Sequence, residues 1–97
     1  MKDVRRIPAD RYASAWDELR ARVEACDRCG LCAARTRTVF GQGAVRTPLV
    51  FVGEGPGADE DREGLAFVGK AGQLLTQILG AAGIDRESVF ITNVVKC

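Results

Sequence analysis

Histidine is absent from all 97 residues. The side chain most often used as a general base near neutral pH is therefore missing, together with a common metal ligand. No apolar run approaches the roughly 18 residues that a membrane span needs. The opening Met1-Lys2-Asp3-Val4-Arg5-Arg6 leads into a charged segment, not the apolar core of a signal peptide. These absences predict a soluble chain located in the cytoplasm. Net charge is also small, +1, but its distribution is uneven: residues 1–47 carry ten Lys/Arg against six Asp/Glu, and residues 48–97 carry four against seven. A basic N-terminal half could follow a phosphate backbone, or it could be an ordinary solvated surface. With 46% hydrophobic and 28% charged residues the composition is that of a globular protein, which argues against disorder. The length allows one small domain.

What the chain does have is cysteine, at positions 26, 29, 32 and 97. In a secreted protein four cysteines would suggest disulfides. Without an export signal, ligation of a metal by thiolates is the expected use. Cys26-x-x-Cys29-x-x-Cys32 has the spacing of a ferredoxin-type loop. With Cys97 it offers four thiolates, enough for an iron–sulfur cluster or a tetrahedral zinc ion.

Hydrophobic periodicity predicts an amphipathic helix over 10–25, with Asp10 as its cap and Tyr12, Trp16, Leu19 and Val23 on the apolar stripe. A cysteine loop follows at 26–32. Gly41-Gln42-Gly43 reads as a turn, and Leu49-Val50-Phe51-Val52 as a buried strand. That strand must end at Gly53-Glu54-Gly55-Pro56-Gly57, because three glycines and a proline cannot continue a sheet. An acidic loop, 58–64, precedes a helix over 71–82, with Leu74, Leu75, Ile78 and Leu79 inward and Gly83 closing it. A second strand lies within 88–95. Strand, helix, strand predicts an α/β fold with a parallel βαβ unit over 49–96. Ligands of open α/β sheets bind at the carboxyl ends of strands, where the glycine loop sits.

That loop contains neither G-x-G-x-x-G nor G-x-x-x-x-G-K-[ST], and Pro56 removes an amide that a phosphate cradle would use. Read by themselves, Phe67 is as well a core aromatic, and Asn93 a strand-end cap. Taken together, Gly53-Glu54-Gly55-Pro56-Gly57, Gly64, Phe67-Val68-Gly69-Lys70-Ala71-Gly72-Gln73-Leu74-Leu75 and Ile91-Thr92-Asn93-Val94-Val95-Lys96-Cys97 resemble the family 4 uracil-DNA glycosylases. These iron–sulfur enzymes remove uracil left in DNA by cytosine deamination. Thr36 to Gly43 fits as well. The resemblance covers about residues 26–97 and the first half of that family's domain.

The resemblance implies a base-flipping hydrolase with uracil-containing DNA as its partner. Phe67 would stack on the uracil and Asn93 would bond its O4 and N3 edge. Glu54 and Gly55 would face the base and the deoxyribose. The best-known glycosylase family has an aspartate where Gly55 stands, which shifts the burden of positioning water or stabilising a cationic sugar to Glu54 first and Glu60 second. Asp59, Asp61 and Glu63 read as a solvated turn. Cys26, Cys29 and Cys97 match ligands of the family's [4Fe–4S] cluster, Cys32 is an extra thiol, and Arg28, Arg35 and Arg37 are candidates for phosphate contacts. The family's later histidine loop has no counterpart among these residues. The chain is therefore expected to be a truncated domain, inactive alone, in a protein that is monomeric at full length. Two alternatives stand beside this: a uracil- or DNA-binding relative without catalysis, and a small self-contained metal-binding protein.

Overall fold

Residues 9–97 are described by a computed structural model, with side chains from residue 13 onward. Strand β3 (Phe90–Asn93) is the middle of a three-stranded sheet, ordered β1-β3-β2 with β1 (Gln42–Gly43) and β2 (Val50–Gly53) at its edges. Its central place explains its burial: Val89, Phe90 and Ile91 are all inside. Strands β2 and β3 run parallel from Val50↔Phe90 to Gly53↔Asn93. Parallel neighbours need a long crossover, which helices α2 (Ala58–Glu63) and α3 (Lys70–Ala81) supply. This is the βαβ unit that the sequence predicts.

The antiparallel pairing of β1 with β3 was not expected, since Gly41-Gln42-Gly43 reads as a turn. It forms because Gly41 and Gly43 take φ of 140° and 118°, and a Cβ on Gly43 would lie 1.9 Å from the Val89 carbonyl oxygen. Only glycine lets the two backbones approach this closely.

Burial departs from expectation at two elements. Strand β2 is not buried: Val50 and Val52 are 50% and 60% exposed, while Phe51 between them packs on the core. An edge strand covered on one face alternates in this way. On α3, Leu75 and Leu79 face the core of Val39, Ala66, Val89 and Ile91, but Leu74 and Ile78 lie exposed. A helix resting on one small sheet buries a single narrow stripe, here the i, i+4 pair. Its end is a Schellman turn, with Gly83 at φ 74°, the Ile84 amide donating to Leu79 O at 2.8 Å and that of Gly83 to Gly80 O at 3.1 Å.

The acidic segment is helix α2, not a loop. Glu60, at its third position, accepts from the Gly57 amide at 2.9 Å, and Gly64 closes the helix at φ 73°. Carboxylates in the first turn suit the helix dipole. Asp61 is more than a solvated charge: its Oδ1 accepts from the Thr36 and Arg37 amides at 2.8 and 3.2 Å, and these two bonds hold its carboxyl below the usual carboxylate range.

Helix α1 runs Ala9–Glu24. The cap assigned to Asp10 and the inward side of Tyr12 lie outside the described side chains. Trp16 meets Phe40 and Phe90 edge to face, with centroids 5.5 and 5.1 Å apart, and fastens the helix to the sheet. The Arg20 guanidinium lies 4.7 Å from the Phe40 centroid.

Candidate functional site

The pairing of Gly53 with Asn93 ends both parallel strands at one level. There a cavity of about 390 Å³ opens, with Gly55, Glu60, Phe67, Gly69, Gly72 and Asn93 among its walls. The size falls within the ~300–1,000 Å³ of small-molecule sites. Asn93 is the one buried polar residue among the described residues, 2% exposed. A Cβ on Gly53 would stand 2.5 Å from Asn93 Oδ1 and 2.6 Å from Phe67 Cζ. The bare backbone of Gly53 thus allows the ring and the amide to meet over the strand end.

Phe67 has φ 54°, in the left-handed region, although it carries a side chain. That conformation costs an ordinary residue roughly 1–2 kcal/mol. Arg86 offsets it: Nη2 donates to Ala66 O at 2.7 Å and Phe67 O at 2.9 Å, and Nη1 to Gly72 O at 3.2 Å and Thr76 Oγ1 at 2.6 Å. A bond from a charged donor contributes about 1.5–3 kcal/mol, so even one of them balances the strain. From the other side the loop rests on Gly72, where a Cβ would come within 1.8 Å of Phe67 O. Sequence reasoning missed Arg86, since an arginine that bonds backbone carbonyls leaves no signature in residue type or spacing.

The two carboxylates proposed from the sequence are placed differently. Glu60 lines the cavity, but its oxygens are engaged: Oε1 by the Gly57 amide, Oε2 by the amides of Val68 and Gly69 at 3.0 and 2.6 Å. It ties the glycine loop to the segment entering α3. Glu54 is exposed at the strand end and is not a wall of the cavity; its carbonyl accepts from the Val95 amide at 2.9 Å. Beside Gly55 the nearest atom to a Cβ would be 3.5 Å away, an ordinary contact, so the site has room for a side chain there.

A second cavity, of about 780 Å³, separates the end of α1 from the segment after β3. Cys26, Cys29 and Cys97 open onto it, beside Leu19, Val23 and Val94. The stripe residues Leu19 and Val23 of α1 thus face the cysteines. Cys32 is half-buried and is not part of this wall, and all four thiols are free of disulfides. Three soft donors on one wall suit iron or zinc, although among the described residues no three metal-binding side chains are drawn into a closed site. Arg35 Nη1 donates to Cys97 Sγ at 2.9 Å, which raises the guanidinium's pKa. Lys96, in the same wall, donates to Asn93 O at 2.6 Å, and partial burial lowers its pKa. Arg28 borders the cysteine cavity, while Arg35 and Arg37 line a separate polar depression of about 440 Å³ with Glu24 and Glu63.

Among known proteins, the Uracil DNA glycosylase superfamily matches residues 40–97. The chain is 55% identical over 76 residues to the Type-4 uracil-DNA glycosylase of Thermotoga maritima, covering 78% of this chain and 40% of that protein. To the Type-4 uracil-DNA glycosylase of Sulfurisphaera tokodaii it is 48% identical over 82 residues, 84% of this chain and 37% of the relative. To that of Archaeoglobus fulgidus it is 47% identical over 81 residues, 84% and 41%. The chain spans about two fifths of the length of these relatives.

Proposed function

Because the chain belongs to the uracil DNA glycosylase superfamily, we propose that it forms the base-binding part of an enzyme that hydrolyses the N-glycosidic bond of uracil in DNA. The observation that carries this is the meeting of Phe67 and Asn93 in one cavity at the carboxyl ends of β2 and β3. A flipped base needs an aromatic face and a polar group that reads its Watson–Crick edge. Phe67 supplies the face. Asn93 bonds the O4 and N3 edge, and cytosine is rejected because its amino group presents a donor where uracil presents an acceptor.

As uracil departs as an anion, positive charge builds on the deoxyribose, and a fixed carboxylate stabilises it. With Glu60 committed to three amides, Glu54 is the carboxylate we assign to the sugar or to the attacking water; Gly55 contributes backbone to the base. Glu60 acts by holding the two loops that enclose the pocket. Cys26, Cys29 and Cys97 would supply three of the four thiolates of a [4Fe–4S] cluster, whose role would be to join the end of α1 to the segment after Asn93. Arg28, Arg35 and Arg37 are proposed to meet DNA phosphates, so binding should weaken as salt rises.

The test is release of uracil from a uracil-containing oligonucleotide by the intact protein, compared with Phe67→Ala and Asn93→Ala. Loss of base stacking costs about 1–3 kcal/mol, a fall of roughly 5- to 150-fold for Phe67→Ala. Asn93→Ala should fall at least as far and lose its preference over cytosine. Uracil-specific binding without release would favour a non-catalytic relative. Wild-type behaviour in both variants would refute the pocket.

A further inference from the structure

We infer that Arg86 is the positioning residue of the base-stacking ring: it fixes Phe67 relative to Asn93 without itself reaching the pocket. This rests on the uracil-pocket reading above. Arg86 is absent from the cavity wall, and among the described residues its guanidinium bonds the carbonyls of Ala66 and Phe67, which carry the ring, and Gly72 O and Thr76 Oγ1 of α3, on which the loop rests.

Its place in the chain gives the clamp its meaning. Arg86 opens the short 3-10 segment Arg86–Ser88, which leads directly into β3 and Asn93. That segment is fixed at its start, where Asp85 Oδ1 accepts from the Glu87 amide at 3.1 Å and the Ser88 hydroxyl donates to Asp85 O at 2.7 Å. One stretch of chain therefore holds both halves of base recognition, the amide through the strand it enters and the ring through the guanidinium. The ring needs such a hold because Phe67 sits at φ 54°, a conformation that a phenylalanine leaves readily unless its surroundings impose it. A planar fork that donates from two nitrogens to four acceptors can impose it; the single ammonium of lysine cannot span them. Gly72 closes the other side, where a Cβ would strike the Phe67 carbonyl at 1.8 Å.

The experiment uses the intact protein and the variants Arg86→Ala, Arg86→Lys and Gly72→Ala. Three quantities are read: the melting temperature, the affinity for a uracil-containing oligonucleotide relative to its cytosine counterpart, and the 19F NMR signal of 4-fluorophenylalanine at position 67. For Arg86→Ala we expect a folded protein whose uracil-over-cytosine preference falls tenfold or more, with a broadened or shifted 19F signal. Millimolar guanidinium should restore both in Arg86→Ala and should not restore the preference in Asn93→Ala; a merely structural role would lower the melting temperature and leave the preference of the folded protein unchanged. Arg86→Lys should stay impaired. If Arg86→Ala does not fold, Arg86→Lys and Gly72→Ala carry the test, because both disturb the same loop. A folded Arg86→Ala or Arg86→Lys with wild-type preference and an unchanged 19F signal would overturn the inference while leaving the uracil pocket standing. A wild type with no preference for uracil would overturn the pocket, and with it any role of Arg86 in placing a base.

Discussion

Gly53 shows how a single missing methyl can decide whether a recognition site exists. Its hypothetical Cβ overlaps both the Asn93 amide and the Phe67 ring, so Gly53→Ala should part the two groups without touching the base. Because the obstructing atoms belong to side chains, the fold should survive, and the expected result is a melting temperature near that of wild type with uracil affinity reduced at least tenfold. Asp61 allows a second prediction at this scale. Its carboxyl is held low by the Arg37 and Thr36 amides, so its contribution to stability is present above the unfolded value of about 3.9 and is lost as pH falls through the lower folded value. Asp61→Asn should flatten the dependence of melting temperature on pH in that acidic window, relative to wild type, with the two proteins differing most at neutral pH and least below the folded value. Phe67, Gly55 and Asn93, which line the first cavity, were legible as candidates in the sequence because they stand in the motifs that carry the family resemblance. The roles of Asp61 and Arg86 were not, since both act on main-chain atoms far away in sequence, and backbone acceptors or donors are the same whatever residue bears them.

Among the elements, α2 changes most between sequence and structure. A run of acidic residues reads as a solvated turn, but the spacing of Gly57 and Glu60 is that of a helix start with a carboxylate at its third position. The same carboxylate then reaches beyond its own helix to the Val68 and Gly69 amides. Glu60→Ala removes a charged acceptor from three donors and should cost about 2–3 kcal/mol in denaturant unfolding. It should also weaken uracil binding, since both loops around the pocket lose their tie. Glu60→Gln keeps one good acceptor and should fall between. Helix α1 depends on a different force. Trp16 touches Phe40 and Phe90 but is only partly buried, so Trp16→Ala should cost about 2–3 kcal/mol, below the ~3–5 of a fully enclosed aromatic. Periodicity revealed both long helices, because a 3.6-residue stripe is a local property. It did not reveal that Leu74 and Ile78 stay exposed, which depends on how much of the helix the small sheet can cover.

Across the whole molecule, the two cavities lie on either side of one short segment: Asn93 closes the first, and Val94 to Cys97 wall the second. The backbone between them is held at both ends, by the Val94 and Val95 amides on Gly53 O and Glu54 O at 2.9 Å and by Lys96 O accepting from the Val39 amide at 2.7 Å. A metal held by Cys26, Cys29 and Cys97 would therefore add a cross-link from the end of α1 to the strand that presents Asn93. Metal binding of this kind is folding free energy, since the unfolded chain holds no preformed site. Anaerobic reconstitution followed by iron and sulfide analysis should show loss of the metal in Cys97→Ala and in Cys29→Ala, and its retention in Cys32→Ala, because Cys32 is not a wall of that cavity. Chelation should lower the wild-type melting temperature and leave that of Cys97→Ala unchanged. Loss of iron with Cys32→Ala and retention with Cys97→Ala would reverse the assignment, and would place the cluster on the 26–32 loop alone, uncoupled from the base pocket.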